Sequence, residues 1–269
     1  MKLLSLMRRT LAQARYVLIG SLCLLWGFQL VVVGQASAIE EQNSFARMAE
    51  FVPAFLQRGL GTKAMLLATF KGTVAFGYFH PVVVVLVSVL AIYFATEPAH
   101  EVEAGLVDLE LARSVPRHVI ITRSVLAAVT AVVSAALLMA FGTWLGLRTF
   151  AAPTFDAPSA ATIAMLLGHL GAVALLFGAI GLAIASGARR WSTAFFTAAL
   201  AAIVLYLIDF LSIGWPLMRS ISWISPFHYY PALSIIAGDA PVARNLAILS
   251  SSTVLVSAVA YWRFQRRDL

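Results

Sequence analysis

Charged side chains are scarce in this sequence. Asp, Glu, Lys and Arg together make up 12% of the 269 residues, whereas hydrophobic residues make up 61%. Soluble domains carry about 25% charged residues, so a chain of this length cannot cover a water-facing globule with its few polar groups. The composition therefore excludes an ordinary soluble protein and predicts that most of the chain lies in lipid.

Cysteine is almost absent too. The single Cys23 lies in an apolar run and excludes an internal disulfide framework and a cysteine-rich metal site. The net charge of +7 raises the question of nucleic-acid binding. However, Lys and Arg stand singly or in pairs between apolar runs, with no basic stripe or aromatic-interleaved patch, so no nucleic-acid partner is predicted.

The motifs of common enzyme classes are missing from the sequence. No Gly-x-Ser-x-Gly elbow and no Gly-x-x-x-x-Gly-Lys-Ser/Thr phosphate loop occurs. His100-Glu101 resembles the start of a zinc-protease helix, but Ala104 stands where the second histidine is needed. Glu40-Glu41 lacks the arginine spacing and membrane histidines of prenyl-protein-type proteases. We therefore predict no catalytic residue, no metal site and no ATP site in this chain.

Long apolar runs fill most of the sequence. A membrane-spanning helix needs about 20 mostly apolar residues, and helices satisfy their backbone hydrogen bonds within one segment. Period-2 alternation, typical of an outer-membrane barrel, is missing. The predicted fold is an all-α integral membrane protein with six transmembrane helices: Tyr16–Ala38, Val74–Thr96, Val119–Leu147, Ala160–Ser186, Ser192–Ile213 and Leu246–Trp262.

The first span has a second interpretation. Basic residues, an apolar run and Ala36-Ser37-Ala38 are also typical of a cleaved signal peptide. The apolar run is about 20 residues long, beyond the usual 7–15 of a signal core, and it contains Trp26 and Gln29. We therefore favour a retained helix, preceded by an amphipathic N-terminal interfacial helix over Leu3–Arg15.

Lys and Arg are distributed unevenly between the two sides of these spans. With a cytoplasmic N-terminus, 12 of the 19 basic residues fall on the cytoplasmic side and 7 on the other. Cytoplasmic loops carry the excess of Lys and Arg. The distribution predicts a multi-pass protein of the cytoplasmic (inner) membrane with both termini in the cytoplasm.

Polar groups inside the predicted spans are few, and they include the ionisable residues His80, His169 and Asp209. Such residues are candidates for a translocation path, because burying them in lipid is costly. A structural role is the alternative: His169 would hydrogen-bond a neighbouring helix, and Asp209 would reach the headgroups. A proton-coupled transporter would need several acidic groups at mid-membrane. The Gly142-x-x-x-Gly146 pattern in the third span permits close helix packing.

The loop after the second span is the most informative part of the sequence. It clusters four acidic residues and three leucines on a short segment that we predict to be helical, ending near Pro116: Glu101, Glu103, Asp108 and Glu110, with Leu106, Leu109 and Leu111. An amphipathic helix at the cytoplasmic face can dock into a groove on a soluble partner. A solvated, charged loop is the alternative interpretation.

This loop resembles the cytoplasmic coupling region of ABC-2 type ATP-binding-cassette transporter permeases. It departs from the family pattern at Leu106, where Thr is usual, and at Ser114-Val115-Pro116. The aromatic segment 225–231, the Arg189-Arg190 turn and the C-terminal 264–269 also resemble the family. The residues in step with the coupling pattern are Glu101, Glu103, Gly105, Asp108, Leu109, Leu111, Arg113 and Arg117.

The resemblance covers Arg8 to Leu269 and implies a single permease domain over residues 1–269, with a cytoplasmic coupling helix between helices 2 and 3. Such permeases bind no nucleotide: ATP and Mg²⁺ are held by a separate ATPase subunit, and two permeases, identical or homologous, pair with two ATPases. The residues that would contact or brace the ATPase are Glu101, Glu103, Gly105, Asp108, Arg113 and Arg117.

The sequence therefore predicts the membrane subunit of an ABC exporter, embedded in the lipid bilayer and driven by ATP hydrolysis in a partner. Three other interpretations stay open: a stand-alone secondary transporter or channel, an intramembrane enzyme, and a membrane scaffold without transport activity.

Overall fold

A computed structural model of the chain describes residues 2–45, 47, 61–105 and 116–267, and these form helices and turns without strands. Six helical segments are long and apolar enough to cross a membrane, and the second is broken at His80 into two helices. They are α2 (Arg15–Glu41), α3–α4 (Phe70–Phe79 and Pro81–Ala95), α6 (Arg117–Phe150), α7 (Ala160–Ala185), α8 (Trp191–Ser212) and α11 (Val242–Gln265).

These segments confirm the six predicted spans, and each boundary agrees to within four residues. The agreement has a physical cause. Unpaired backbone N–H and C=O groups are costly in lipid, so a long apolar run that lies in the membrane forms a helix, which pairs these groups within the segment. The chain is thus a multi-pass helical membrane protein.

Shorter helices occupy the two ends of the bundle. The end where α2 begins and α11 ends, called here the termini end, holds α1 (Lys2–Gln13) and α5 (Glu97–Glu103). The opposite end, the far end, holds a 3₁₀ helix at Gly61–Ala68 and the connection 213–241. That connection contains α9 (Pro216–Ile221), 3₁₀ turns at Ser222–Ile224 and Pro226–Tyr229, and α10 (Ala232–Ala237).

Helix α7 lies at the centre of the bundle, where it packs against α4, α6, α8 and α11. Helices α2, α8 and α11 are on the periphery, and fewer than a fifth of the residues in their apolar windows are buried. Their outward side chains include Leu24, Leu200 and Leu255, each more than 60% exposed. Lipid is a suitable environment for such apolar surfaces.

Helices α2 and α6 run in the same direction and pack closely through two glycines. A Cβ atom on Gly142 would lie 2.9 Å from the Trp26 carbonyl oxygen, and one on Gly146 would lie 2.9 Å from Val33 Cβ. The glycine pattern noted in the sequence therefore lies in this interface, where the absence of side chains lets the two helices approach.

Candidate functional site

The predicted coupling segment begins in helix α5, which follows α4 almost without interruption. The Thr96 hydroxyl donates to the Ile92 carbonyl at 2.9 Å, and Pro98 occupies the first turn of α5. The helix is followed by Gly105 in the left-handed conformation, with φ of 65°. Glycine adopts this conformation without the strain that a Cβ would cause, so Gly105 suits the end of the helix.

Glu101 on α5 forms a buried ion pair with Arg123 on α6. The Arg123 Nη2 atom lies 2.5 Å from Glu101 Oε2, and the two side chains are 1% and 6% exposed. A charged residue is costly to bury unless a partner of opposite charge accompanies it. The pair therefore fixes α5 against the first turns of α6.

Glu103 joins α5 to a different helix. Its Oε2 atom accepts a hydrogen bond of 2.8 Å from the backbone N–H of Trp191, the first residue of α8. The N-terminus of a helix has unpaired N–H groups and a partial positive charge, so a carboxylate at this position caps α8 favourably. A seven-residue helix is thus tied to both α6 and α8.

Three arginines connect other helix ends nearby. Arg117 Nη1 donates to the carbonyl oxygens of Gln265 at 3.1 Å and Arg267 at 2.7 Å, which ties the start of α6 to the end of α11. Arg267 Nη2 donates to the Ala188 carbonyl at 2.7 Å, and Arg263 Nη1 donates to the Ala183 carbonyl at 3.1 Å. Cations suit the carbonyl-rich C-terminus of α7.

The termini end thus brings together four of the six residues predicted for coupling. Glu101, Glu103 and Arg117 make contacts within the chain, and Gly105 forms the turn after α5. The other two, Asp108 and Arg113, lie outside the described residues, as does most of the predicted coupling helix.

At the far end, the break in the second span leaves the Tyr78 carbonyl without its helical hydrogen bond, and a residue of another segment donates to it instead. Pro81 has no N–H, and the Val82 N–H is directed to His80 Nδ1 at 3.3 Å instead of the Tyr78 carbonyl. The Tyr230 hydroxyl donates to that carbonyl at 3.2 Å. Irregular backbone within a membrane needs such protein partners, because lipid offers none.

Two further residues extend this contact across the bundle. The Tyr78 hydroxyl lies 2.6 Å from Thr143 Oγ1 on α6, and both side chains are buried. His169 on α7 stacks on Tyr230 with a centroid distance of 5.9 Å, and its Nδ1 lies 2.7 Å from the Met165 carbonyl. This group of four side chains, Tyr78, Thr143, His169 and Tyr230, is called here the tyrosine cluster.

His80 lies beside this cluster but contacts different residues. Its ring centroid is 5.1 Å from that of Phe28 on α2 and 5.0 Å from that of Phe76 on α3. Its Nδ1 atom caps the first turn of α4. His80 therefore has a structural role at the helix break.

Asp209 lies near His228, a residue of the connection 213–241. Its Oδ1 atom lies 4.0 Å from His228 Nδ1, and the Ser222 hydroxyl lies 3.4 Å from the same ring nitrogen. A Ser-His-Asp relay needs the two partners on different nitrogens. Burial, followed by the positive charge of Arg244, lowers the pKa of His228. These residues do not form a hydrolytic triad.

The 3₁₀ helix Gly61–Ala68 is held to the segment after α10 by an exposed contact. Lys63 Nζ lies 2.6 Å from Asp239 Oδ2 and donates to the Ser234 hydroxyl oxygen at 2.8 Å. The Lys63 hydrogen bond is the main cause that lowers the pKa of Asp239. Lys63 therefore joins the 3₁₀ helix to α10 and to Asp239 just after it at the surface of the far end.

Several polar atoms in the bundle interior have no hydrogen-bond partner among the residues that the structure describes. They include both side-chain amide atoms of Gln29, the Trp26 indole nitrogen, Ser88 Oγ and His169 Nε2. Gln29 is fully buried, and a Cβ on Gly77 would collide with its amide. Unpaired polar atoms in a dry interior are unfavourable, so these are positions that water or a polar ligand would stabilise.

The residues that sequence reasoning missed are those with distant partners. Arg123 carried a recognisable signal, because an arginine within an apolar run needs an acidic partner and Glu101 precedes it by 22 residues. Tyr78 and Tyr230 carried none, since neither residue type is unusual in a membrane helix or loop. Among the described residues, no group of three or more His, Cys, Asp or Glu side chains could hold a metal ion.

Comparison of the chain with protein-family models, curated proteins and solved structures finds no match in any of the three.

Proposed function

We propose that this chain is the permease subunit of an ABC exporter of the ABC-2 type, moving a substrate outward across the cytoplasmic membrane. Energy would come from ATP and Mg²⁺ bound to a separate ATPase subunit, and a second permease copy or a homologue would complete the assembly. The termini end would face the cytoplasm, with α1 lying at the membrane surface. The ordered resemblance of the coupling loop, the aromatic segment and the C-terminus supports this proposal.

The observation that carries the proposal is the attachment of α5 to two membrane helices. Glu101 joins α5 to α6, and Glu103 joins it to the start of α8. An ATPase that binds the predicted coupling helix in 101–117 would therefore displace α6 and α8 together. In this proposal Glu101, Glu103 and Arg117 transmit force within the permease, while Asp108 and Arg113 are left to contact the ATPase.

The tyrosine cluster is the proposed position at which the far end opens to release substrate. A path for substrate would have to open at the far end, where Tyr230 holds the broken span closed through one hydrogen bond to Tyr78. The unpaired atoms of Gln29 and His169 lie in the same half of the bundle and would gain partners on hydration. His80, His169 and the neighbouring polar groups are therefore the proposed lining of the open path.

The proposal is tested by purifying the tagged chain from its native membranes and measuring MgATP hydrolysis with the protein that co-purifies. We expect an ATPase whose activity rises when it is reconstituted with this chain. Charge reversal of Glu103 and Asp108 together should uncouple hydrolysis from transport while membrane insertion is unchanged. Charge reversal of Glu40 and Glu41, at the far end, is the matched control.

Two results would contradict the proposal. One is the absence of an ATPase partner together with transport by the chain alone in vesicles, which would indicate a stand-alone secondary transporter or channel. The other is normal transport by the Glu103 and Asp108 double variant, which would show that these residues take no part in coupling.

A further inference from the structure

A cavity of about 350 Å³ opens at the termini end, between α1, the last turn of α4, helix α5 and the first residue of α8. Its size falls within the range of about 300–1,000 Å³ that is usual for ligand pockets. The side chains that line it are both polar and aromatic: Thr10, Gln13, Tyr93, Glu97, His100 and Trp191. Glu101 and Arg123 lie close to the cavity without lining it, and the tyrosine cluster is at the other end of the bundle.

Glu97 is the charged group at the wall of this cavity. Its carboxyl group is half-buried, and the described residues give it no hydrogen bond. Burial raises the pKa of Glu97, and the neighbouring Glu101 carboxylate adds to the rise. His100, Arg123 and Arg9 offset only part of this effect. A cation bound in the cavity would therefore stabilise a carboxylate that the protein itself leaves poorly compensated.

Aromatic rings stand next to this carboxylate. The ring centroids of Tyr93 and Trp191 are 6.0 Å apart and the rings are nearly perpendicular, at 81°. Trp191 is held in place by stacking on Phe195 at 5.0 Å. Aromatic rings beside a carboxylate can recognise alkylammonium groups, through cation–π attraction together with charge pairing.

The position of the cavity indicates where such a cation comes from. Tyr93 is in the last turn of α4 and Trp191 begins α8, so both lie where membrane spans end. Tyrosine and tryptophan are enriched at the depth of the lipid headgroups. Thr10 and Gln13 close the cavity from α1. A phospholipid headgroup at that depth can therefore enter the cavity from the bilayer.

We propose that this cavity binds the ammonium group of a phospholipid headgroup, such as that of phosphatidylethanolamine. Glu97 is the counterion, and the Tyr93 and Trp191 rings form the walls. The bound lipid fills the gap between α1 and the membrane helices and fixes the amphipathic helix to the bundle. This inference does not depend on the exporter proposal, since it uses no ATPase and no transported substrate.

The test reconstitutes the full chain in nanodiscs of phosphatidylethanolamine, phosphatidylcholine or phosphatidylglycerol and counts the lipids retained by native mass spectrometry. We expect retention of the two ammonium lipids but not of phosphatidylglycerol. Glu97→Gln should weaken retention of phosphatidylethanolamine about tenfold, because a charge-assisted hydrogen bond to its primary ammonium is lost. Retention of phosphatidylcholine, whose ammonium has no N–H, should weaken through the loss of charge pairing alone. Tyr93→Leu should weaken retention of phosphatidylethanolamine by a smaller factor. Glu40→Gln, at the far end, should leave it unchanged.

The neutral glutamine has nearly the shape of glutamate, and a monodisperse gel-filtration profile of Glu97→Gln shows that it folds. Equal retention by the wild type and Glu97→Gln would overturn the proposal, as would equal retention of phosphatidylglycerol. Complete displacement by soluble phosphoethanolamine at the lipid concentration would overturn the assignment to a membrane lipid. If Glu97→Gln left lipid retention intact but weakened binding of a partner protein, the cavity would instead hold a basic side chain of that partner.

Discussion

The two ends of the bundle are held together by different chemistry. At the termini end, charged side chains join helices to one another through the Glu101–Arg123 pair, the Glu103 cap of α8 and the Arg117 contacts with the end of α11. At the far end, the buried contacts are neutral: the Tyr230 hydroxyl satisfies the Tyr78 carbonyl, and the Tyr78 hydroxyl contacts Thr143.

From this difference we expect the termini end to be stiff and the far end to be compliant. Buried ion pairs and charge-assisted bonds lose a large free energy when one partner moves away. Neutral hydrogen bonds inside membrane proteins contribute less, about 0.6 kcal/mol on average. The termini end is therefore suited to move as a unit, whereas the far end can open by breaking a few weak contacts.

The largest effect is expected from breaking the buried pair. Arg123→Met leaves the Glu101 carboxylate buried without its counterion, so the free energy of unfolding should fall by about 3–5 kcal/mol. The loss is measured by thermal unfolding in detergent micelles. The double variant Glu101→Leu and Arg123→Met should recover much of it, because no lone charge is left in the interior. An equal loss in the single and double variants would contradict this account.

The next largest effect is expected at the contact between α2 and α6, two helices that run from one end of the bundle to the other. Gly142→Ala places a Cβ 2.9 Å from the Trp26 carbonyl oxygen, so the helices must separate. We expect a loss of about 1–3 kcal/mol, typical of overpacking, from the same unfolding measurement. Gly168→Ala on α7 is the control, since a Cβ there meets nothing within 4 Å. It should be neutral or slightly stabilising, because alanine favours a helix.

A smaller effect is expected at the compliant end. Tyr230→Phe keeps the ring that stacks on His169 but removes the donor to the Tyr78 carbonyl. We expect a loss of about 0.6–1.7 kcal/mol, with faster hydrogen exchange confined to the residues around the helix break. Tyr229→Phe is the matched control, because its hydroxyl donates to the exposed Trp223 carbonyl. Uniformly faster exchange at both ends would argue against a separate compliant end.

The smallest effect is expected at the surface of the far end. Lys63→Met removes the exposed contact with Asp239 and should lower the midpoint temperature only slightly, and less so at high salt. Because the Lys63 contact lowers the pKa of Asp239, its contribution is present at neutral pH and is lost as the pH falls through that lowered pKa, below the ordinary value of 3.8. A salt-independent decrease in the midpoint would show that Lys63 stabilises the far end by packing.

The six spans could be predicted from the sequence because hydropathy is local and additive. Runs such as Ala160–Ala185 carry the signal within about 20 residues, so no knowledge of their neighbours is needed. The position of the helix break also follows from the sequence, because Pro81 lacks a backbone N–H. The Gly142 and Gly146 pattern also predicted a close helix contact, because glycine has no side chain. The sequence did not show that the partner would be α2.

The candidate sites were less accessible to sequence reasoning. Glu101 and Glu103 were recognised as residues of interest from their clustering, but their partners Arg123 and Trp191 belong to two different helices. Their separation along the chain, 22 and 88 residues, gives no pattern that a local motif can record. The cavity around Glu97 is formed by four segments and has no sequence signature.

The sequence by itself determined that the chain is embedded in a membrane, how many times it can cross, and the ends of each spanning helix to within four residues. These properties depend on the free energy of transferring a local segment into lipid. Only the tertiary structure decided which polar groups meet. Tyr230 reaches the carbonyl of Tyr78 across 152 residues, and Glu97 faces Trp191 through the packing of α5 against α8. Such pairs are fixed by helix packing, which depends on shape complementarity between distant segments.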